Sequence, residues 1–213
     1  MTDWTDAQMA SIHQMLNPRS IAIVGATPRM QYGGRMLAAA LKANERIRVY
    51  PINPRYEEIM DIPCYPSVSD LPEAPDVVGI VVPYNNVLDV LKECHQKGTR
   101  AAVVISAGFS ERGVPERRVL QEQLSDFALE SGLRISGPNC LGLANVKDDI
   151  WISSSSRGAG GLSGSVGLVC QSGASAFGPF LVRAVDMGVG FSYIVSTGNE
   201  ADLDFCDFAR YLL

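Results

Sequence analysis

The stretch IAIVGATPRMQYGGRMLAAALK, residues 21–42, decides the fold. Its first four residues are continuously apolar, as in a strand that is buried on both faces of a parallel sheet. A glycine-containing turn follows, and a helix is predicted to begin near Gly33. Because doubly wound sheets bind ligands where such turns leave the carboxyl ends of strands, the stretch predicts both a βα unit and a ligand site.

Similar apolar runs recur along the chain with helical stretches between them. They cover residues 48–52, 77–82, 101–106 and 134–136. Runs of this kind, joined by right-handed helical crossovers, predict a parallel sheet covered by helices, which is the α/β class. A short helix over residues 6–16 falls within a predicted N-terminal extension, residues 1–16, and the sheet domain is expected to span residues 17–148.

A change in composition marks the end of this domain. Serine and glycine dominate SSSSRGAGGLSGS, residues 153–165, and we interpret residues 149–165 as a linker. A second domain is predicted over residues 166–213. Its expected strands and helices alternate over residues 166–170, 174–187, 192–196 and 203–212. Two strands are too few for a doubly wound sheet, so the pattern predicts the first part of a truncated domain.

Composition argues against several classes of function. Charged residues make up 19% of the chain, the net charge is -5 and no basic run occurs, which argues against nucleic acid or an anionic membrane as a partner. Five cysteines without C-x-x-C spacing, and only two histidines, indicate neither a metal site nor a disulfide framework and favour a reducing cytoplasm. The N-terminus shows no secretory pattern, and no apolar run reaches membrane-spanning length.

Two further loops combine glycines with small polar residues. In GLVCQSGA, residues 167–174, an apolar run breaks at Gln171 before a predicted helix, whose free N–H groups and positive dipole end can hold an anion. In GPNCLGLAN, residues 137–145, the glycines permit close backbone approach, while Asn139 and Cys140 offer small polar side chains. Two such sites on one chain suggest phosphate chemistry.

The first loop narrows the choice of nucleotide. Its glycine spacing is not G-x-G-x-x-G, and the second strand ends in Ile52-Asn53-Pro54-Arg55, where a NAD-binding domain usually carries an acid for the ribose hydroxyls. A cation at this point suits a ribose phosphate, which NADP and coenzyme A (CoA) both carry. The residues alone therefore leave both ligands open.

The order of the motifs resembles one protein family over residues 17–213. The chain carries, in sequence, NPRSIAIVGAT, YPINPRYEEI, YPSVSDLPEAPD, VVPYNN, SAGFSERG, GPNCLGLAN, GLVCQSGA and STGNEADLDF. This order resembles the CoA-binding part of the NDP-forming acyl-CoA synthetases, in particular the ADP-forming acetate:CoA ligases and, more distantly, the succinyl-CoA synthetase α subunit. The resemblance implies a Rossmann-like CoA-binding domain with a parallel sheet, followed by the start of a flavodoxin-like domain.

The resemblance also implies roles for individual residues along a CoA molecule. The matching positions, from the phosphate and adenosine end to the thiol end, are Gly25, Ala26, Thr27, Asn53, Pro54, Arg55, Val82, Pro83, Ser106, Ala107, Gly108, Asn139 and Cys140. Arg29 is expected to assist at the phosphates. CoA is then a substrate, and Arg55 stands at or near the family's basic position.

A second group of residues resembles the family's phosphoryl-transfer site. Ser172, Gly173 and Ala174 match the helix N-terminus that stabilises a phosphohistidine, the carrier between an acyl phosphate and a nucleoside diphosphate. Neither His13 nor His95 occupies that histidine's position. The ATP-grasp domain or subunit, which binds ATP or ADP with Mg, is also expected outside this chain. The resemblance thus implies an acid-CoA ligase whose present portion binds CoA, next to a carboxylic acid or acyl phosphate, without turnover.

Several alternatives stay open. A CoA-sensing module of a fused protein acetyltransferase or, with less support, an NADP oxidoreductase domain would use the same loops. Cys140 beside loop amides could act as a nucleophile, but no paired histidine is found and a ligand-lining role is favoured. Glu200, Asp202 and Asp204 are expected to cap the last helix rather than bind a metal. The acyl group is not encoded in these motifs.

Overall fold

The computed structural model describes residues 6–42, 46–155 and 161–213. Parts of the predicted N-terminal extension and of the predicted linker lie outside the described residues. The strands are β1 Ser20–Val24, β2 Arg48–Ile52, β3 Glu58–Ile59, β4 Ile62–Pro63, β5 Val77–Ile80, β6 Ala101–Val104, β7 Arg134–Ser136, β8 Gly142–Asn145, β9 Ile150–Ser153, β10 Ser163–Cys170 and β11 Phe191–Ser196. The helices are α1 Asp6–Leu16, α2 Tyr32–Lys42, α3 Val87–Lys97, α4 Pro115–Ser131, α5 Gly173–Phe177, α6 Pro179–Asp186 and α7 Phe205–Leu212, with short 3-10 turns at Tyr84–Asn86 and Ser110–Arg112.

The first sheet has the order β2-β1-β5-β6-β7, and its paired strands are all parallel. Strand β1 shows why the sequence runs are continuously apolar. Alternate side chains of a strand point to opposite faces, and here Ile21 and Ile23 enter one core while Ala22 and Val24 enter another. Both faces are covered by helices, so both need apolar residues. The predicted α/β class is confirmed.

Helices α1 and α2 pack on one face of this sheet, and α3 and α4 pack on the other. On the first face, Met15 and Leu16 of α1 and Met36 of α2 are completely buried. Helix α1 is therefore part of the core rather than an appended extension. None of the described helices is both long enough and apolar enough to cross a membrane.

The chain changes direction of winding between β1 and β5, which are neighbours in the sheet although β2 follows β1 in sequence. The loops that leave these strands meet at this point. The N–H of Val81 donates to the carbonyl of Val24 at 2.8 Å, and the N–H of Gly25 donates to the carbonyl of Ile52 at 3.0 Å. Such a switch point opens a crevice at the carboxyl ends of the strands.

A second sheet has the order β10-β11-β8-β9, in which β10 and β11 are parallel and the other two pairs are antiparallel. The sequence predicted only two of these strands. Residues 150–153 were expected in a linker, but they form β9, and Trp151 and Ile152 are buried. Their antiparallel hydrogen bonds with β8 explain the difference, because a short hairpin pairs its own backbone groups, and here every residue of both strands is buried. The expected flexible serine run likewise includes Ser154 and Ser155, which are buried.

The helix predicted over residues 174–187 is two helices, α5 and α6, with a break at Gly178. Pro179 begins α6, and proline both lacks an N–H and disfavours helical backbone in the residue before it. Gly178 accordingly has φ of -104° and ψ of -144°. The break leaves α5 as a five-residue helix.

Residues 196–204 tie the second sheet to the edge of the first. The N–H of Leu203 donates to the carbonyl of Ile135 at 3.0 Å, which continues the pairing of β7. Asp202 Oδ2 lies 2.9 Å from Arg134 Nε, and the side chains of this ion pair are 14% and 11% exposed respectively. Asp204 caps α7 in a capping box with Asp207, as predicted. The capping expectation was wrong for Asp202, whose role is this contact between sheets.

Candidate ligand-binding groove

Two cavities lie next to each other at the switch point, and we call them together the groove. The outer cavity has a volume of about 710 Å³ and lies among the loops after β1, β2 and β5. The inner cavity, of about 560 Å³, lies between the loop after β6, the loop before β8 and the turn into α5. Val81 and Val82 line both cavities and so form their junction.

The outer cavity depends on glycines in the loop after β1. Gly25 has φ of 87°, and a Cβ there would lie 2.1 Å from the carbonyl oxygen of Val81. A Cβ on Gly33, in the first turn of α2, would lie 2.1 Å from the carbonyl oxygen of Gly25. Glycine at both positions lets the turn lie directly against β5 and the start of the helix.

Asn53 locks this loop to the loop after β2. Its Nδ2 donates to the carbonyl of Ala26 at 2.8 Å, and its Oδ1 accepts from the N–H of Arg55 at 3.0 Å. Asn53 lines the outer cavity, but its amide group is engaged in holding the loops. Ala26, which is predicted to contact a ligand, is fully buried and is not among the residues that line the cavity.

Two cations face the outer cavity. Arg29 and Arg55 are exposed and line it together with Thr27, Pro54 and Pro83. Neither guanidinium forms an ion pair with a carboxylate of the described residues. Unpaired cations beside a polar cleft are suited to an anionic ligand.

The middle of the groove is held by Ser106. Its hydroxyl accepts from the N–H of Val82 at 3.1 Å and donates to the carbonyl of Val82 at 2.6 Å. Ser106 therefore fixes the wall at the junction. Ala107, the next residue, is exposed and lines the inner cavity.

Gly108, for which the resemblance implies a place along the CoA path, is not among the lining residues of either cavity. Its N–H donates to the carboxylate of Glu111, as does the N–H of Phe109 at 3.1 Å. The carboxylate of Glu111 thus occupies the position at which the N–H groups of this loop could bind an anion. Burial alone would raise the pKa of Glu111, but hydrogen bonds from Asn199 and from these backbone groups lower it below the ordinary value.

Asn139 and Cys140, for which the resemblance implies a place near the thiol end of CoA, both line the inner cavity. Asn139 has φ of 59°, and its Nδ2 donates to Oδ1 of Asn199 at 3.1 Å. The Cys140 thiol donates to the carbonyl of Val104 at 3.4 Å. Burial raises the pKa of Cys140 to about 12, so the thiol stays protonated near neutral pH. This favours a lining role for Cys140 over the nucleophile that the sequence left open.

The turn before α5 forms another part of the wall of the inner cavity. Gln171, Ser172, Gly173 and Ala174 all line the inner cavity. Gln171 Nε2 donates to the carbonyl of Gly198 at 2.8 Å, which holds the turn in place. The first N–H groups of a helix have no partner within the helix, and those of Gly173 and Ala174 are of this kind.

Sequence reasoning missed several lining residues. They are Tyr32, Val81, Ile105, Leu141 and Gly198. Of these, only Gly198 carried a signal in the sequence, because it lies in the turn-like motif STGNE. A Cβ added at Gly198 would lie 2.3 Å from the carbonyl oxygen of Pro138. Among the described residues, no group of three or more histidine, cysteine or acidic side chains is arranged to hold a metal ion.

The fold and the groove define a doubly wound α/β protein with an anion-compatible cleft at its switch point. The chain belongs to the CoA-binding domain family, whose model matches residues 19–146. Residues 163–213 match a second family, described as the succinyl-CoA ligase like flavodoxin domain. Both matches confirm the resemblance read from the motifs.

Named relatives point the same way. The chain is 38% identical over 205 residues to acetate–CoA ligase [ADP-forming] I of Archaeoglobus fulgidus, covering 94% of this chain and 29% of that protein. It is 37% identical to the α subunit of acetate–CoA ligase [ADP-forming] II of Pyrococcus furiosus, covering 92% of this chain and 42% of that subunit. A solved structure of dinucleotide forming acetyl-coenzyme A synthetase 1 from Ca. Korarchaeum cryptofilum, in complex with phosphate and ADP, superposes with a TM-score of 0.87 at 37% identity over 94% of this chain and 42% of that one. The chain therefore spans less than half the length of each of these relatives.

Proposed function

We propose that this chain is the CoA-binding portion of an ADP-forming acyl-CoA synthetase, an acid-thiol ligase. The observation that carries the proposal is that the outer and inner cavities lie next to each other. The outer one is lined by two arginines without an ion pair among the described residues, the inner one by the buried Cys140, and Val81 and Val82 line both. CoA is a long molecule with phosphates at one end and a thiol at the other, and the groove matches that polarity.

At the outer end, the proposed contacts are electrostatic. Arg55 binds the ribose phosphate of CoA, and Arg29 with Thr27 binds the diphosphate near the turn after β1. A guanidinium binds phosphate with two parallel hydrogen bonds. Pro54, Pro83 and Val82 supply the apolar surface along the path.

At the inner end, the proposed contacts position the reacting groups. The CoA thiol lies beside Asn139 and Cys140, and a phosphoryl group lies at the free N–H groups of Gly173 and Ala174 with the Ser172 hydroxyl beside them. The amides stabilise negative charge on the phosphoryl oxygens. Both positions line the same cavity, which suits transfer of an acyl group from an acyl phosphate to the thiol.

The complete reaction needs groups that the inner cavity does not supply. No histidine is among the described residues that line it. We therefore propose that the phosphorylated histidine and the ATP-grasp site for ATP or ADP with Mg come from another domain or subunit. All five cysteines are free thiols, which is consistent with a reducing compartment such as the cytoplasm.

Calorimetric titration of the chain with CoA, dephospho-CoA and NADP tests the proposal. We expect CoA to bind with micromolar or tighter affinity, and dephospho-CoA more weakly by about 1.5–3 kcal/mol, because it lacks the phosphate bound by Arg55. Arg55→Met is expected to remove that difference. Arg118→Met, which changes an exposed arginine outside the groove, serves as the matched control.

The titrations test the identity of the ligand and the role of Arg55 separately. Equal affinity of the wild type for CoA and dephospho-CoA would refute the role of Arg55 while leaving CoA as the ligand. Binding of NADP without binding of CoA would refute the proposed function and support an oxidoreductase domain.

A further inference from the structure

Asn199 connects the loop after β6 and helix α4 to the inner cavity. Its backbone N–H donates to the carbonyl of Pro138 at 2.8 Å. Its side-chain amide forms hydrogen bonds with the side chains of Glu111, Gln121 and Asn139. We call these three residues and Asn199 the Asn199 network. Asn199 itself is not among the residues that line the inner cavity, and no contact proposed above for CoA uses it.

Glu111 fixes which way the amide of Asn199 points. Nδ2 of Asn199 lies 2.6 Å from Oε2 of Glu111 and 2.9 Å from Oε1 of Gln121. Burial would raise the pKa of Glu111, but hydrogen bonds from Asn199 and from backbone N–H groups lower it below the ordinary value, so the carboxyl group is ionised near neutral pH. An ionised carboxylate can only accept hydrogen bonds. The atom of Asn199 that faces Glu111 must therefore be the nitrogen, and its carbonyl oxygen must point away.

The orientation of Asn199 sets the orientation of Asn139 in turn. Oδ1 of Asn199 can only accept, and the donor that lies 3.1 Å from it is Nδ2 of Asn139. This contact leaves Oδ1 as the remaining polar atom of the Asn139 side chain. Oδ1 accepts no hydrogen bond from the described residues, and it is not one of the buried polar atoms without a partner. It is therefore accessible to a donor from outside the chain.

The backbone of Asn139 is held in place as well. Its φ of 59° lies in the left-handed region, which asparagine adopts more readily than most residues. Its N–H donates to the carbonyl of Ser106 at 3.0 Å. Asn139 lines the inner cavity, where the proposed function puts the CoA thiol. The chain thus presents a hydrogen-bond acceptor at a fixed point of that cavity.

We propose that Asn199 is a positioning residue, which holds the amide of Asn139 so that Oδ1 of Asn139 accepts the thiol hydrogen of CoA. This inference rests on the proposed function, which makes CoA the ligand. A thiol S–H is a weak donor, and a neutral amide oxygen can accept it without removing the proton. The hydrogen bond fixes the direction of the S–H bond and leaves the lone pairs of the sulfur free for an acyl carbon. Asn199 acts through Asn139 and does not itself touch CoA.

Desulfo-CoA, in which a hydrogen atom replaces the thiol, tests the contact by calorimetric titration. We expect the wild-type chain to bind CoA about threefold more tightly than desulfo-CoA. Glu111→Gln should remove this preference. The N–H groups of Gly108 and Phe109 keep the oxygen of the new amide, so its NH₂ group faces the NH₂ group of Asn199 and the orientation of Asn139 is no longer fixed. Affinity for desulfo-CoA should stay unchanged, whereas a general loosening of the cavity would weaken both ligands.

A second substitution should restore the preference. When Asn199→Asp is combined with Glu111→Gln, one carboxylate oxygen at position 199 accepts from Asn139 and the other accepts from the new amide, and the net charge is that of the wild type. Gln121 can turn its amide to donate, because the Ser110 hydroxyl 2.6 Å from it can either donate or accept. Asn199→Asp alone puts two carboxylates next to each other and should weaken CoA binding by at least threefold.

Glu122→Gln is the matched control, because Glu122 is an exposed acid of α4 outside the Asn199 network, and it should leave both affinities unchanged. Three results would each overturn the inference while CoA binding stands: equal affinity of the wild type for CoA and desulfo-CoA, an equal loss for both ligands in Glu111→Gln, or a double variant that does not regain the preference. If the double variant does not fold, the two ligands compared in Glu111→Gln decide alone. Absence of CoA binding by the wild type overturns the proposed function itself.

Discussion

The outer and inner cavities form one groove, yet they present their polar groups in different ways. In the outer cavity, Arg29 and Arg55 are exposed and unpaired among the described residues. In the inner cavity, Ser106, Asn139 and Gln171 already form hydrogen bonds with the chain. The outer end is therefore suited to supply affinity through charge, and the inner end to supply a fixed shape around a ligand.

Salt is expected to affect the two ends of the groove differently. Attraction between exposed charges weakens as the Debye length shortens, whereas buried hydrogen bonds are screened much less. Added salt should thus weaken the contacts of Arg29 and Arg55 without disturbing the geometry around Asn139. The substitutions below alter the two ends separately.

Gly25→Ala is expected to have the largest effect, because Gly25 lines the outer cavity and also packs against the end of β5. Its φ of 87° disfavours alanine, and the new Cβ would meet the carbonyl oxygen of Val81. We expect a loss of about 3 kcal/mol or more in the free energy of unfolding. CoA affinity should fall by roughly a hundredfold as the turn moves. Urea unfolding and calorimetric titration measure the two effects.

Gly113→Ala is the matched control. Gly113 also has positive φ, 69°, but nothing lies within 4 Å of an added Cβ. Its cost should be about 1–2 kcal/mol from the backbone alone, with unchanged CoA affinity. If the two substitutions lowered the free energy of unfolding equally, the turn after β1 could move away from β5 without loss of stability.

Asp202→Ala is expected to lower stability and, of the two ends of the groove, to disturb only the inner one. It leaves Arg134 unpaired and nearly buried, and removes the acceptor for the N–H of Ile135 at 2.7 Å. Breaking a buried ion pair by removing one partner costs about 3 kcal/mol. The contact of Asp202 holds the segment 196–204, in which Gly198 lines the inner cavity and Asn199 bonds to Asn139. CoA affinity should therefore fall by roughly tenfold, the equivalent of about 1.4 kcal/mol.

Asp89→Ala provides the comparison for Asp202. Asp89 pairs with Lys92 on the surface of α3, with both side chains exposed. Such pairs contribute about 0.2–1 kcal/mol. A loss of similar size for Asp202 would show that the second sheet does not depend on this contact to stay against the first.

The first sheet could be predicted well because its sequence pattern has one physical reading. Strands such as β1, β5 and β6 are buried on both faces, so they read as short apolar runs between helices. The second sheet was only half predicted. Strand β8 follows a loop that contains glycines, and β9 leads into a run of serines. Both signals are typical of loops, although the two strands pair with each other.

The motifs indicate which loops line the groove, but not which residues of each loop line it. Gly108 and Ala26 belong to loops that line the groove, but whether a given residue of a loop faces a ligand depends on contacts far apart in sequence. The N–H of Gly108 is taken by Glu111, and the carbonyl of Ala26 by Asn53. Side-chain choices of this kind are set by tertiary packing, which a motif does not encode.

Glu111→Gln tests whether the self-filled loop after β6 supports the inner cavity. Hydrogen bonds lower the pKa of Glu111 from its ordinary value of 4.5 despite burial. A carboxyl group with a lowered folded pKa adds stability above its unfolded pKa, and that stability is lost as the pH falls through the folded pKa. We expect the variant to lose about 1.5 kcal/mol at neutral pH, and the difference from wild type to shrink below pH 4.5.

Urea unfolding at a series of pH values measures this difference. Ser110 lies in the same loop, and Ser110→Ala, which removes a hydrogen bond to Gln121, should give a pH-independent loss. A difference between Glu111→Gln and wild type that stays constant down to the acid range would contradict the ionised role of Glu111. CoA affinity should change by only about threefold, since Glu111 acts on the cavity through Asn199 and Asn139.

Cys140→Ser is expected to have the smallest effect on CoA binding, less than about twofold, because serine keeps a donor for the carbonyl of Val104 in nearly the same volume. Burial raises the pKa of the Cys140 thiol to about 12, so iodoacetamide near neutral pH should label the exposed Cys206 and spare Cys140. Rapid labelling of Cys140 together with a large loss of CoA affinity in the variant would mean that the inner end carries a reactive group. Sparing of Cys140 with retained affinity would mean that the inner end acts through shape and fixed dipoles, in contrast to the charged outer end.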